Sequence, residues 1–256
     1  MVNLKLKWKL LLGMPTLIEC KNIEENIALC KELGLDFIDI NMNLPQFQLE
    51  KVEPIYYKEL MIEHNIFFTL HLPEELNIAD FNPKVKDAYI KTSIESINLA
   101  KEIGIPILNM HMNTGVYFTL PNRKIYLFEE YISDYIQSII SFGDLINDLI
   151  GKEKIYVLIE NTGIYNLNYI RVAISKLLKY ECFKLTWDIG HDFSSGCLDS
   201  DFILSNKKHI RHFHLHDAIG KSNHLPLGSG EIDIQSKIDI AKENHCSCVY
   251  CGKLFC

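Results

Sequence analysis

The sequence predicts an α/β chain folded as a single (β/α)8 barrel whose last βα unit is incomplete or divergent, and three observations carry that prediction. Short apolar runs of strand length alternate about eight times with amphipathic runs of helical period. No shift of composition marks a linker, so one domain is expected over residues 1–256, with 246–256 atypical. Five of the apolar runs end in residue types that bind metals: TLHLP at His71, LNMHM at His111, VLIEN at Glu160, TWDIGHDF at Asp188 and His191, and HFHLHD at His214 to Asp217. A doubly wound open sheet also gives the alternation, but it leaves no reason for ligand-type residues at so many strand ends. A barrel brings those ends to one mouth.

Taken in order, the first strand is expected at Trp8 to Leu12 and is followed by Gly13 and Pro15. Asn22 to Leu33 places Ile23, Ile27 and Leu29 at helical spacing and stops at Gly34. Phe37 to Ile40 is a short strand, Pro54 to Glu63 a helix with proline near its start, and Ile66 to Leu72 the third strand. Lys84 to Ile103 is a long amphipathic helix closed by Gly104, and Ile107 to Met112 the fourth strand. A longer connection, Asn113 to Lys124, precedes a helix from Ile125 to Ile150 that ends at Gly151. Then come the strand Ile155 to Ile159, a helix near Leu167 to Lys179, the strand Phe183 to Ile189, a short helix at Asp201 to Lys207 and the strand Ile210 to Leu215. A helix from Ile234 to Glu243 and the apolar remnant Cys246 to Cys251 finish the chain.

Composition narrows the function. With 48% hydrophobic residues the chain can bury a full core, and its net charge of −7 argues against broad attraction to nucleic acid. The N-terminal lysines precede an apolar stretch of only about five residues, too short for a secretory signal. No run approaches the roughly 18–20 apolar residues of a membrane span. A cytoplasmic protein without a membrane partner is expected, with homo-oligomer formation left open. Cys20, Cys30, Cys182 and Cys197 are scattered and read as reduced thiols, whereas Cys246, Cys248, Cys251 and Cys256 crowd the last eleven residues. CxC and CxxC are zinc-ligand spacings, but a truncated or frame-shifted end of a longer chain is the favoured reading of that tail.

The strand ends supply the chemistry. Asp188 and His191 leave their strand through Gly190 and can reach one point beyond the sheet, although an Asp near a His is more often a hydrogen bond or a cap. His71 precedes Pro73 and is by itself more often a loop histidine; His111 is equally well read as a core histidine satisfied by Asn109. Glu160 ends a buried strand, where a carboxylate is costly unless paired, protonated or metal-bound; Asn161 follows and can orient it. In HFHLHD, period two puts His212, His214 and His216 on one face, with His214 expected as the ligand and Asp217 holding an imidazole in the correct tautomer. His224 adds another imidazole in the glycine loop KSNHLPLGSGEID.

Taken together and in this order, HLPEELNIA, MHMNTG, IENTG, WDIGHDFSSG and HLHDAIGKSNHLPLGSGEID resemble the xylose isomerase-like TIM-barrel superfamily, which holds sugar and sugar-phosphate isomerases and epimerases and also endonuclease IV. The resemblance spans about residues 10–240. It implies a divalent metal (Mn, Mg, Co or Zn) held by Glu160, Asp188 and His214, with His71, His111, His191 and His224 binding substrate or a further metal. The implied activity is isomerisation or epimerisation of a small sugar or sugar phosphate, by proton transfer through an enediolate with Glu160 as the catalytic base or acid. Two departures stand out: Ser222 lies where the endonucleases carry an aspartate, and no carboxylate follows Glu243, where both branches carry a glutamate on the eighth strand. A zinc-dependent endonuclease acting on abasic DNA, and a barrel that binds sugar or metal without catalysis, are the alternatives.

Overall fold

The computed structural model describes residues 10–251. In chain order the elements are β1 (Leu11–Pro15), α1 (Ile23–Glu32), β2 (Phe37–Asn41), α2 (Pro54–His64), β3 (Phe67–His71), α3 (Pro83–Ile103), β4 (Ile107–His111), β5 (Tyr117–Thr119), β6 (Lys124–Tyr126), α4 (Leu127–Glu130), α5 (Ile132–Ile150), β7 (Tyr156–Glu160), α6 (Asn168–Leu177), β8 (Phe183–Asp188), α7 (Ile189–Ser194), α8 (Ser200–Ser205), β9 (Ile210–Leu215), β10 (Asp217–Ile219), β11 (Ser222–Leu225), α9 (Ile234–Glu243) and β12 (Ser247–Tyr250). Eight strands, in the order β1-β12-β9-β8-β7-β4-β3-β2, pair in parallel and close on themselves. The expected (β/α)8 barrel is the fold. Its divergent last unit still supplies β12, which pairs with β9 on one side and β1 on the other and so removes both sheet edges.

Alternation along each strand divides the residues between two environments. Ile38 and Ile40, Phe68 and Leu70, Leu108 and Met110, Val157 and Ile159, Leu185 and Trp187, and Phe213 and Leu215 are buried in the apolar core. Their alternates include Asp39, Thr69, His71, Asn109, Glu160, Thr186, Asp188, His212 and His214, and all of these are buried as well. The helices start where capping groups stand. Asn22 accepts from the amide of Glu25 to start α1, and Asn82 with Pro83 starts α3, which Gly104 ends in a left-handed turn. Deep in the barrel, Phe37 stacks on Phe67 with ring centroids 4.7 Å apart. A Cβ on Gly13 would come within 2.5 Å of the Phe37 ring, so only glycine lets β1 pass there.

Four boundaries differ from expectation, each for a local reason. Among the described residues β1 runs from Leu11 to Pro15, later than Trp8 to Leu12, because its register is set by pairing to β2 and β12; Trp8 lies outside the described residues, as do 252–256 with Cys256. The 113–124 connection contains the antiparallel pair β5 and β6. The helix expected at 125–150 is interrupted at Tyr131, whose ψ of 46° is not helical. TWDIGHDF leaves its strand into α7 rather than a loop, because the Asp188 side chain caps that helix on the amide of His191. No helix among the described residues is long and apolar enough to cross a membrane.

Candidate functional site

The mouth of the barrel encloses a cavity of about 190 Å³, and the strand-end residues line it: Asp39, Asn41, His71, His111, Glu160, Asp188, His191, His214 and Cys251, with Thr16, Glu74 and His224 from the loops and hairpins above. Glu160, 2% exposed, is at its centre. His214 Nδ1 lies 2.9 Å from Glu160 Oε1, and His71 Nε2 and His111 Nε2 each lie 3.3 Å from Oε2. Asn109 donates its side-chain amide to Oε2 as well, and its own carbonyl accepts from the Thr186 hydroxyl at 2.6 Å. Burial pushes the Glu160 carboxyl upward, but His214 and His111 outweigh it and hold the group well below the usual carboxylate range.

His71 shows most directly what the site could hold. Its Nδ1 is 2.9 Å from the Leu72 carbonyl, which can only accept, so Nδ1 carries a proton. In the neutral ring Nε2 is then a bare lone pair facing the Glu160 carboxylate. Only a proton or a cation between them resolves that repulsion. Burial lowers the His71 pKa, but Glu160 and Asp39 more than offset it and raise it to about 9. His214 is raised in the same way, with burial opposing and Glu160 prevailing.

Asp188 stands beside this group. Its Oδ2 is 3.8 Å from His214 Nδ1 and 3.5 Å from His191 Nδ1, and its two oxygens lie 3.0 and 3.1 Å from His216 Nε2. Burial raises the Asp188 pKa, but the His216 hydrogen bond and the nearby imidazoles outweigh it and hold the carboxyl below its ordinary value. The backbone here is braced by Asn161, which accepts from the Asp188 amide at 2.8 Å and donates to its carbonyl at 2.9 Å. Asp199, wholly buried, accepts from Asn161, from the amide of Gly163 at 2.6 Å and from that of Tyr165 at 2.7 Å.

The chemistry of the donors fits a divalent cation. Ligand atoms of His71, Glu160 and His214 lie within 4.8 Å of one another, as do those of Glu160, Asp188 and His191 and those of His191, His216 and His224. His111 Nε2, His191 Nδ1 and His214 Nε2 are buried without a hydrogen-bond partner, a costly arrangement unless another group binds them. Nitrogen and oxygen donors of this kind suit Mn, Co or Zn.

The structure thus brings Glu160, Asp188, His214, His71, His111 and His191 together, with His224 at the rim. Two expected orienting roles are reassigned. Asp217 holds no imidazole: its carboxylate accepts from the backbone amides of Ala218, Gly228, Gly230 and Ile232 and so ties down the glycine loop. Asn161 braces Asp188 rather than Glu160, and Asn109 takes the task expected of it. Asn109 therefore does not satisfy His111, which turns to Glu160 instead. His212, deeper in the barrel, bonds Ser247 on β12. The N-terminal half contributes groups that the motifs did not flag, above all Asp39, which accepts from the Thr69 hydroxyl. FIDIN carries the same signal as VLIE, a carboxylate inside a buried strand. Cys251, just past β12, lines the mouth at the end of the strand where a glutamate was sought.

The profile of the xylose isomerase-like TIM barrel matches residues 27–251. The chain belongs to that family. Among individual proteins it is similar to an uncharacterized protein of Methanocaldococcus jannaschii, 25% identical over 190 residues, 73% of this chain and 70% of the relative. Among solved structures, a D-tagatose 3-epimerase-like protein superposes with a TM-score of 0.74 at 20% identity, over 95% of this chain and 91% of its own. The IOLI protein with a bound zinc atom superposes at 0.72 with 17% identity, over 94% and 88%. At such identities the superpositions establish a shared fold.

Proposed function

We propose that this family member is a divalent-metal-dependent isomerase or epimerase of small sugars or sugar phosphates. The observation that carries the reading is the buried Glu160 carboxylate ringed by imidazoles, of which His111 Nε2, His191 Nδ1 and His214 Nε2 have no hydrogen-bond partner and are donors a cation would take up. Glu160, Asp188 and His214 would hold the ion, which when bound polarises a sugar carbonyl and its neighbouring hydroxyl. Glu160 also stands where it can accept the proton of the carbon between them. A second proton-transfer group is required on the other side of the substrate, and Asp39 meets that need: β2 lies three strands from β7 around the ring, and burial raises the Asp39 pKa although His71 and His214 oppose it. A carboxyl whose pKa is shifted upward there is suited to return a proton to the carbon after Glu160 takes one, with solvent resetting both. The epimerase-like and zinc-bound neighbours agree with this reading.

The test is metal content by elemental analysis of protein purified without chelator or tag-derived metal, followed by NMR of ketoses and ketose phosphates in D2O. One divalent ion per chain and exchange of a carbon-bound hydrogen are expected. The imidazoles of His71, His111 and His191, all facing Glu160, favour a second reading, a multi-metal phosphodiesterase acting on abasic DNA. Several zinc ions per chain and cleavage of such DNA, without exchange in any sugar, would replace the first reading with it.

Proton linkage gives a further expectation. Because His71 in the metal-free protein has a pKa of about 9, above its ordinary value, it is protonated at neutral pH, and a cation bound at the Glu160 carboxylate that it faces would displace that proton. Apparent metal affinity therefore rises with pH, by roughly tenfold per unit for one displaced proton, and levels off above about 9. Titrations of metal into the protein across that range, in weakly chelating buffers, check the slope; an affinity flat with pH would exclude the linkage.

A further inference from the structure

His216 has no part in the reading above, yet it is wholly buried at the edge of the site. Both of its nitrogens are committed. Nδ1 is 2.8 Å from the backbone nitrogen of His224, an amide that can only donate, so Nδ1 bears no proton. The proton of the neutral ring is then on Nε2, which faces both oxygens of Asp188 at 3.0 and 3.1 Å. The surroundings are shaped to this ring. A Cβ on Gly190 would lie 2.0 Å from it, so glycine is required there, and the His224 ring stacks on it at 4.1 Å with planes 8° apart. His224 itself has a φ of 56°, in the left-handed region, and the bond from its amide to His216 holds it there.

We propose that His216 is a positioning residue that fixes Asp188 as a metal ligand, its neutral imidazole bridging that carboxylate to the β10–β11 hairpin that carries His224. The inference rests on the metal-site reading. A ligand carboxylate can turn about its own bond, and a donor held rigidly from the far side fixes the plane that it presents to the ion. Asp188 has one such donor in the His191 amide, from which it accepts as the cap of α7, and His216 supplies the second. The same ring sets the backbone of His224, so the rim and the metal ligand are positioned by a single rigid group.

The two nitrogens can be tested separately, because glutamine places its amide nitrogen near the Nε2 position and asparagine places its oxygen near Nδ1. His216→Gln keeps the donor to Asp188 and loses the acceptor for His224, and His216→Asn does the reverse. Zn²⁺ and Mn²⁺ are titrated into metal-free wild type and both variants against a competing chelator, with urea unfolding of each. The proposal expects His216→Asn to lose about 10–100-fold in affinity, while His216→Gln stays within a few-fold of wild type. The opposite order, equal losses or no loss in either would overturn it, as hairpin anchoring, packing or no role at all. Wild type that binds neither ion would overturn the metal reading and this inference with it, whereas tight wild-type binding with an unaffected Asn variant removes the inference alone. Side-chain ¹⁵N spectra of the metal-free wild type give a check that needs no variant: the His216 ring must be protonated at Nε2, and a ring protonated at Nδ1 overturns the assignment.

Discussion

Glu160→Gln is expected to lower turnover by about 10²–10⁴-fold and to weaken metal binding, at a cost of about 1–3 kcal/mol in stability from the buried donor left unsatisfied. The substitution conserves volume, so the core around β7 keeps its packing. It fails chemically because every neighbour donates or needs a cation. Asn109 donates to Oε2, His214 meets Oε1, and His71 and His111 approach Oε2. Whichever way the amide turns, its NH2 faces another donor where a carboxylate oxygen accepted. Asp39→Asn separates the two proton transfers. It should retain exchange of the substrate's carbon-bound hydrogen with D2O, which needs only Glu160, and lose formation of the epimer or isomer. Hydrogen exchange and product formation, followed together by NMR on the first active ketose, decide both roles; a Glu160→Gln enzyme with wild-type turnover would remove the carboxylate from the mechanism.

Trp187→Ala is expected to cost about 3–5 kcal/mol of stability, read as a lower urea midpoint at an unchanged slope. Trp187 heads the largest fully buried side chains, packs on Phe213 with centroids 5.7 Å apart and lies under the Lys237 ammonium. Removing it opens a cavity between the barrel and α9. It also deprives Asp192 of the indole donor at 3.2 Å, leaving that buried carboxylate with the Ser200 hydroxyl and the Asp199 amide. Because Trp187 adjoins Asp188, the metal-binding strand end loosens as well. A loss below about 1 kcal/mol would show that the site collapses around the gap and that the Trp187 packing matters little.

Much of this was legible in the chain itself. The alternation of strand and helix runs, the glycines closing the helices and the ligand-type residues ending five strands together specify a barrel with a polar mouth, because period two sends alternate residues to the interior and parallel strands put all their C-terminal ends on one side. Glu160, Asp188, His71, His111, His191 and His214 were therefore nameable from local pattern alone. Which of them touch was not. Asn109 and Asn161 each follow or precede a ligand in sequence and look interchangeable, but Asn109 shares a barrel layer with Thr186 and reaches Glu160, while Asn161 points across to the Asp188 backbone. Asp217 looked like an imidazole's partner, yet four amides of a loop up to fifteen residues later converge on it. Asp39 and His216 acquire their significance only through closure, which brings β2 back to the mouth and folds the β10–β11 hairpin over the ring. Sequence period fixes the face on which a side chain lies; ring closure and hairpin return, which bring distant residues together, choose its partner.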